Sequence, residues 1–208
     1  MRVLIVSGGL KPDHFGGLPA HVEDLIHGLI ARGLDVGYLN TGKKSKYLRT
    51  YLMPRQDLGC PAWDLASKRA FTRYWTGTRE PIRQIHPSRA YARAFLSVID
   101  SFRPDIVHFH ELTSFPIALI HELKSRGIKV FYSAADFYPL CPTVKLLRPD
   151  GTVCERAAGE LDCDLCSKEA RYNLEWRFEY VVDRWLPTMI GFRNIGRRII
   201  RFTGRVAG

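Results

Sequence analysis

The strongest constraint on the fold is the order of patterns at the start of the chain. Residues 2–7 are a short run rich in Val and Ile, which predicts a buried parallel strand. The glycine-rich stretch Gly8–Gly17 predicts a loop. An amphipathic helix then ends near Gly33, and residues 35–42 predict a second strand. The apolar residues of the helix recur at helical spacing: Val22, Leu25, Ile26, Leu29 and Ile30. The chain therefore opens with a βαβ unit.

The same alternation continues and predicts a parallel α/β sheet. Residues 103–111 and 129–136 predict two further strands, and residues 116–126 predict a helix with Ile117, Ile120 and Leu123 facing inward. Another helix starts at Ser88, and its predicted inner face consists of Tyr91, Phe95, Val98, Ile99 and Phe102. Residues 43–87 are basic and aromatic without a clear period, and we interpret them as a surface excursion.

We therefore predict a Rossmann-like three-layer domain over residues 1–186. It carries a cysteine-rich insertion at 141–166 and a long C-terminal helix at 168–186, followed by a basic tail at 187–208. Ligands of such sheets bind at the carboxyl ends of the strands. The loops that matter are then Gly8–His21, His108–Ser114 and Ala134–Leu147.

Gly16 and Gly17 precede the first helix and form a candidate phosphate cradle. Glycine lets the backbone approach a ligand closely, and a helix N-terminus offers unpaired N–H groups and partial positive charge. The spacing is not that of the dinucleotide-binding motif, so a simple tight turn between strand and helix remains an alternative.

His108 and His110 alternate along a predicted strand and therefore share one face. They could line the crevice, serve the structure or contribute to a metal site, although no third ligand is evident nearby. Glu111 lies at the same strand end, and His21 lies at the start of the first helix, where a purely structural role is equally plausible.

Cys141, Cys154, Cys163 and Cys166 lie within one insertion, and the last two form a C-x-x-C pair. Four thiols in a short loop-rich segment favour tetrahedral structural zinc, with free thiols or disulfides as alternatives.

A formal net charge of +10 indicates an anionic partner or a solvated basic face. Anionic lipid fits better than nucleic acid, for which no recognition helix or aromatic RNA-binding strand is visible. The apolar runs are too short to span a bilayer, and the N-terminus has the pattern of a strand rather than a signal peptide. We expect a cytoplasmic protein, able to lie at the inner face of a membrane.

Three segments together resemble the family 4 glycosyltransferases: "GGLPAHVEDLIHGLIARGLDVGYL", "RPDIVHFHEL" and "DFYPLCPTVKLLRPDGTVCE…CDLC". Their order and spacing are similar to the N-terminal half of that family, and the cysteine-bearing segment is similar to the branch with a cysteine loop. The resemblance implies one of two facing Rossmann-like domains of the GT-B fold. It also implies a retaining sugar transfer in the cleft between them.

For particular residues, the resemblance implies that Gly16 and Gly17 face the donor diphosphate and the acceptor, and that His110 lies near the mouth of the cleft. It also implies that Asp136 positions the acceptor or takes part in catalysis. The family branch often has His-Asp at this point, whereas here Ala135 precedes Asp136, and a methyl group forms no hydrogen bond.

The resemblance further implies that this chain is the acceptor-binding half of the enzyme. The nucleotide-sugar donor would be bound mainly by a second domain, in cis or in trans, and the half alone would be inactive. The acceptor would be a glycan or a lipid-linked glycan. The alternatives are a non-enzymatic nucleotide-binding Rossmann module and, less favoured, a zinc-stabilised nucleic-acid binder.

Overall fold

A computed structural model describes residues 1–11, 14, 16–43, 45, 49–67, 87–112, 115–141, 146–148 and 151–155. Six strands form one sheet in the order β3-β4-β2-β1-β5-β6. All neighbours are parallel except β3, which runs antiparallel to β4 at one edge. The strands are β1 Arg2–Ser7, β2 Asp35–Asn40, β3 Tyr51–Arg55, β4 Ala62–Ala66, β5 Ile106–Phe109 and β6 Lys129–Tyr132. The helices are α1 Gly17–Ala31, α2 Arg89–Phe102 and α3 Ile117–Ser125.

The buried strand β1 separates two apolar cores and so produces three layers. Val3 and Ile5 pack with Val22 and Ile26 of α1 on one face of the sheet. Leu4 and Val6 point the other way, because side chains alternate along a strand, and they pack with α2 and α3. The described part of the chain thus confirms the predicted Rossmann-like α/β fold.

The helix α2 matches its sequence pattern closely. The Ser88 hydroxyl accepts a hydrogen bond from the Tyr91 N–H (3.2 Å), which caps the helix start. All five residues of the predicted inner face are buried. In α3 the prediction is confirmed for Leu123, which is buried, and for Ile120, which packs against the core. Ile117 is only partly covered, and the prediction missed the buried Leu119.

The interpretation of residues 43–87 as a surface excursion is wrong for residues 51–66. They form β3 and β4, which extend the sheet, and Leu65 is fully buried. Two short strands give little periodicity, and Pro54 is compatible with a strand only at an edge, where β3 lies.

Several predicted features lie outside the described residues. These are residues 68–86, most of the cysteine-rich insertion including Cys163 and Cys166, the helix at 168–186 and the tail at 187–208. Within the part of the chain that the structure describes, no helix is both long and apolar enough to cross a bilayer.

Candidate functional site

The glycine loop between β1 and α1 ends in a helix start that only glycine accommodates. Gly16 caps α1 with φ 139° and ψ −177°, a backbone region that residues with a Cβ essentially never adopt. The helix begins at Gly17, earlier than the apolar pattern indicates, and Pro19 fits within the first turn because N–H groups there need no helical partner. His21 therefore lies in the second turn rather than at the helix start. Gly16 and Gly17 are both exposed, as a cradle for a ligand requires.

The glycine loop also packs tightly against the end of β5. A Cβ on Gly8 would overlap the carboxylate of Glu111, and a Cβ on Gly9 would overlap the ring of His14. Glycine at both positions lets the loop approach these side chains. Glu111, which follows β5, is thereby brought against the loop that precedes α1.

Three histidines meet at the carboxyl end of β5. The ring centroids of His108 and His110 are 4.1 Å apart, and those of His21 and His110 are 5.5 Å apart. Nε2 of His108 is 2.8 Å from the Ser133 hydroxyl, which fixes one edge of that ring. Helix α1 and the end of strand β5 therefore supply one histidine cluster. This is expected, because α1 follows β1, and the carboxyl ends of the neighbouring parallel strands β1 and β5 lie side by side.

His110 is the most buried member of this cluster. Only 1% of its surface is exposed, and neither ring nitrogen has a hydrogen-bond partner among the described residues. Burial, followed by the positive charge that His108 and His21 can carry, lowers the pKa of His110 to about 4. The imidazole is thus neutral near pH 7, and it has one N–H donor and one nitrogen acceptor to offer a ligand. Burial also lowers the pKa of His108, with a smaller contribution from His21.

Asp136 follows β6 and is held by its own turn. Its Oδ1 accepts a hydrogen bond from the Tyr138 N–H (2.9 Å), so the carboxylate is fixed in direction while remaining partly exposed. Burial, together with the charges of Asp136 and Glu111, raises the pKa of Tyr132 to about 12. Both carboxylates therefore lie within electrostatic reach of the end of β6.

Of the four cysteines predicted to bind zinc, the structure describes only Cys141 and Cys154. Cys141 is buried and Cys154 is partly exposed. Across the described ranges, no three His, Cys, Asp or Glu side chains are arranged to hold a metal ion. Cys163 and Cys166 lie outside those ranges, so the four-cysteine zinc site stays a prediction.

Two residues of the site were missed by sequence reasoning. Ser133 bonds His108, and the half-exposed ring of Phe131 lies 6.3 Å from that of His108. Phe131 and His108 are register partners on adjacent strands and so share a face. Strand alternation in "KVFYS" could have placed Phe131 and Ser133 on that face, once the pairing of β5 with β6 was known.

Comparison with known proteins gives one match to a family. The family model described as Glycosyltransferase Family 4 matches residues 15–194. No curated protein sequence matches the chain.

Three solved structures are similar to the chain at low sequence identity. The catalytic domain of starch synthase IV from Arabidopsis thaliana, bound to ADP and acarbose, is 18% identical with a TM-score of 0.42, covering 65% of this chain and 34% of its own. A trehalose-6-phosphate structure from E. coli, bound with UDP-2-fluoro glucose, is 15% identical with a TM-score of 0.40, covering 84% and 43%. The trehalose-phosphate synthase of Burkholderia vietnamiensis is 18% identical with a TM-score of 0.36, covering 63% and 32%. The chain thus spans less than half the length of each of these proteins.

Proposed function

This chain belongs to glycosyltransferase family 4, and from that premise we propose that it is the acceptor-binding part of a retaining glycosyltransferase. The acceptor is a glycan or a lipid-linked glycan, and the donor is a nucleotide sugar. A second domain, in cis or in trans, binds most of the donor. Without it, the chain transfers no sugar.

The observation that carries the proposal is the buried imidazole of His110, whose ring nitrogens have no hydrogen-bond partner among the described residues. A buried polar group without a partner is costly, and a ligand hydroxyl would supply the missing hydrogen bond. Sugars present such hydroxyls in quantity. Because the ring is neutral, it can accept from or donate to a neutral acceptor without a charge being buried.

The two carboxylates complete the acceptor side of the proposed site. Glu111 lies against the glycine loop, and Asp136 is fixed by its turn at the end of β6. Carboxylates accept hydrogen bonds from sugar hydroxyls and hold them in one orientation. His110 and Asp136 would orient the acceptor hydroxyl, while Glu111, His108 and His21 shape the crevice around it.

The exposed start of α1 is the proposed contact with the donor. The N–H groups of Gly17 and Leu18 remain for this contact, because Pro19 has no N–H and the Ala20 N–H donates to the carbonyl of Gly16 (3.3 Å). They would face the donor diphosphate and stabilise its negative charge. In retaining transfer of this kind, the leaving phosphate can take the proton of the acceptor hydroxyl. The residues of this chain then contribute positioning and charge stabilisation, so that Ala135 in place of a histidine is compatible with activity.

The proposal is tested by binding of the labelled chain to a glycan array. We expect selective binding to one glycan class, reduced at least about tenfold in His110→Leu and in Asp136→Ala, since each removes a hydrogen bond to the ligand. His27→Ala is the matched control, because His27 is an exposed histidine of α1 that the proposal assigns no role. No selective binding, or equal binding by all variants, would contradict an acceptor-binding role.

A second experiment tests the need for a donor domain. The isolated chain is incubated with UDP-, GDP- and ADP-sugars and the glycan selected by the array, and products are followed by mass spectrometry. We expect no transfer. Sustained turnover would show that the donor site is complete in this chain, whereas tight binding of a free nucleotide without glycan binding would favour a nucleotide-binding module.

A further inference from the structure

The hairpin β3–β4 carries a buried ionic network that the proposed chemistry does not use. The side chains of Arg55 and Asp64 are each only 9% exposed, and Nη1 of Arg55 is 3.6 Å from Oδ1 of Asp64. Nε of Arg55 donates to Oδ1 of Asp57 (2.9 Å). A buried ion pair gains little net stability over apolar residues of similar size, so stability alone does not account for it.

One arm of this network reaches the glycine loop directly from Arg55. Nη2 of Arg55 donates to the carbonyl oxygen of Lys11 (3.4 Å), within the loop that leads to α1. The guanidinium also lies over the ring of Tyr38, 5.9 Å from its centroid. The hydroxyls of Tyr38 and Ser7 are 2.8 Å apart, and the Ser7 hydroxyl accepts from the Gly9 N–H (3.4 Å).

The other arm runs from Asp64 to the same loop through β2. Nδ2 of Asn40 donates to Oδ1 of Asp64, and Oδ1 of Asn40 accepts from the Gly42 N–H, both at 2.9 Å. Gly42 in turn packs on the carbonyl of Gly8 so closely that a Cβ there would overlap the oxygen. The two arms thus fix the loop at Gly8, Gly9 and Lys11.

The charges of the network balance, which argues against a second anion site. Arg55 and Lys43 face Asp57 and Asp64, with Nζ of Lys43 3.5 Å from Oδ2 of Asp64. Within the described ranges, these two cations and two anions leave no net charge to attract a phosphate. The hydrogen bonds are instead directed at the loop backbone and at the side chains that hold it.

We propose that Arg55 and Asp64 are positioning residues for the glycine loop. They hold the loop in its ligand-binding conformation in the absence of ligand. This inference rests on the proposed function for the identity of the ligand, but not for the anchoring itself. Preorganising a loop lowers the entropy cost of binding. Loss of the network should therefore weaken acceptor binding even if the fold is intact.

The double variant Arg55→Met/Asp64→Leu separates anchoring from stability. Replacing both charges with apolar residues of similar size avoids an unpaired buried charge and leaves the fold largely stable. It nevertheless removes the contacts with Lys11 and Asn40. The matched control is Arg126→Met/Asp100→Leu, which removes an exposed ion pair (2.8 Å) between α3 and α2.

Amide hydrogen exchange followed by NMR gives the first readout. In the Arg55/Asp64 variant we expect exchange at Gly9 and Gly42 to be at least about tenfold faster, because their hydrogen bonds depend on the network. The His110 N–H, which donates to the carbonyl of Val6 (2.9 Å), should change by less than about twofold. Unchanged loop exchange, or an equal rise throughout the sheet, would overturn the proposal.

Binding to the glycan selected by the array gives the second readout. We expect the Arg55/Asp64 variant to bind about tenfold more weakly and the Arg126/Asp100 control to bind as wild type does. Faster loop exchange with undiminished binding would also overturn the positioning role. If the wild-type chain binds no glycan while the loop exchange changes as expected, the proposed function fails and the anchoring stands.

Discussion

At the scale of single residues, the lowered pKa of His110 makes the stability of the domain depend on pH. Its ring is buried against His108 and His21, and its pKa is lowered to about 4. A group whose folded pKa is lowered in this way binds its proton more readily in the unfolded chain. The contribution of His110 to the free energy of unfolding is therefore fully present above the ordinary histidine pKa of about 6.5. It is lost as the pH falls from there toward 4.

We predict that His110→Phe removes much of this acid sensitivity. Between about pH 7.5 and pH 5, the wild-type free energy of unfolding should fall by about 2 kcal/mol more than that of the variant, since one pKa unit corresponds to about 1.4 kcal/mol. Urea unfolding at both pH values measures the difference. The exposed His27→Gln serves as control and should keep the wild-type profile. Parallel profiles for wild type and His110→Phe would show that His110 is not held neutral by burial.

The residues of the site differ in how far the sequence could predict them. His108 and His110 share a strand face by simple alternation, and both were predicted at this edge. Ser133 was not, because its bond to His108 depends on the neighbouring strand. Arg55 and Asp64 were missed for the same reason, since an ion pair between separate strands leaves no local pattern.

At the scale of elements, the start of α1 is decided by backbone geometry rather than by apolar spacing. Gly16 has φ 139°, while the adjacent Gly17 is helical and has open space where a Cβ would be. Neighbouring glycines therefore have opposite structural requirements. The sequence pair "GG" marks the turn but does not show which glycine is essential.

We predict opposite effects of alanine at these two positions. Gly16→Ala should destabilise the domain by about 1–3 kcal/mol, because alanine would be strained at this φ and ψ. Gly17→Ala should be neutral or stabilising by up to about 1 kcal/mol, because alanine favours helix. Thermal unfolding monitored by circular dichroism compares the two. Equal destabilisation by both variants would contradict the described helix start.

The hairpin β3–β4 shows where element prediction fails. Each strand has five residues, and β3 contains a proline and ends in an arginine that interacts with Asp57. Such strands gain their stability from pairing with the sheet and not from their own pattern. In contrast, α2 has five buried residues at helical spacing, and its sequence alone predicted this face and the start of the helix at Ser88.

At the scale of the whole molecule, the net positive charge predicts attraction to anionic surfaces. A charge of +10 would draw the chain to an anionic membrane surface, which fits a lipid-linked acceptor. Surface attraction of this kind is screened by salt, which makes it testable.

We predict binding to vesicles of phosphatidylcholine with about one third phosphatidylserine at low salt. Binding should fall at least about tenfold when salt is raised from roughly 0.05 M to 0.5 M, and vesicles of phosphatidylcholine alone should bind little. Co-sedimentation measures both. Equal binding to the two vesicle types would exclude electrostatic recruitment, and no binding to either would leave the basic face simply solvated.

The most direct test of the account is an amide NMR titration with the glycan that binds best on the array. The residues at the carboxyl ends of β1, β5 and β6 should respond, with the largest shifts at Gly8–Gly9, Gly16–Gly17, His108–Leu112 and Ser133–Asp136. Shifts confined to α2, α3 or their core, or shifts absent at saturation, would contradict an acceptor site at this edge of the sheet.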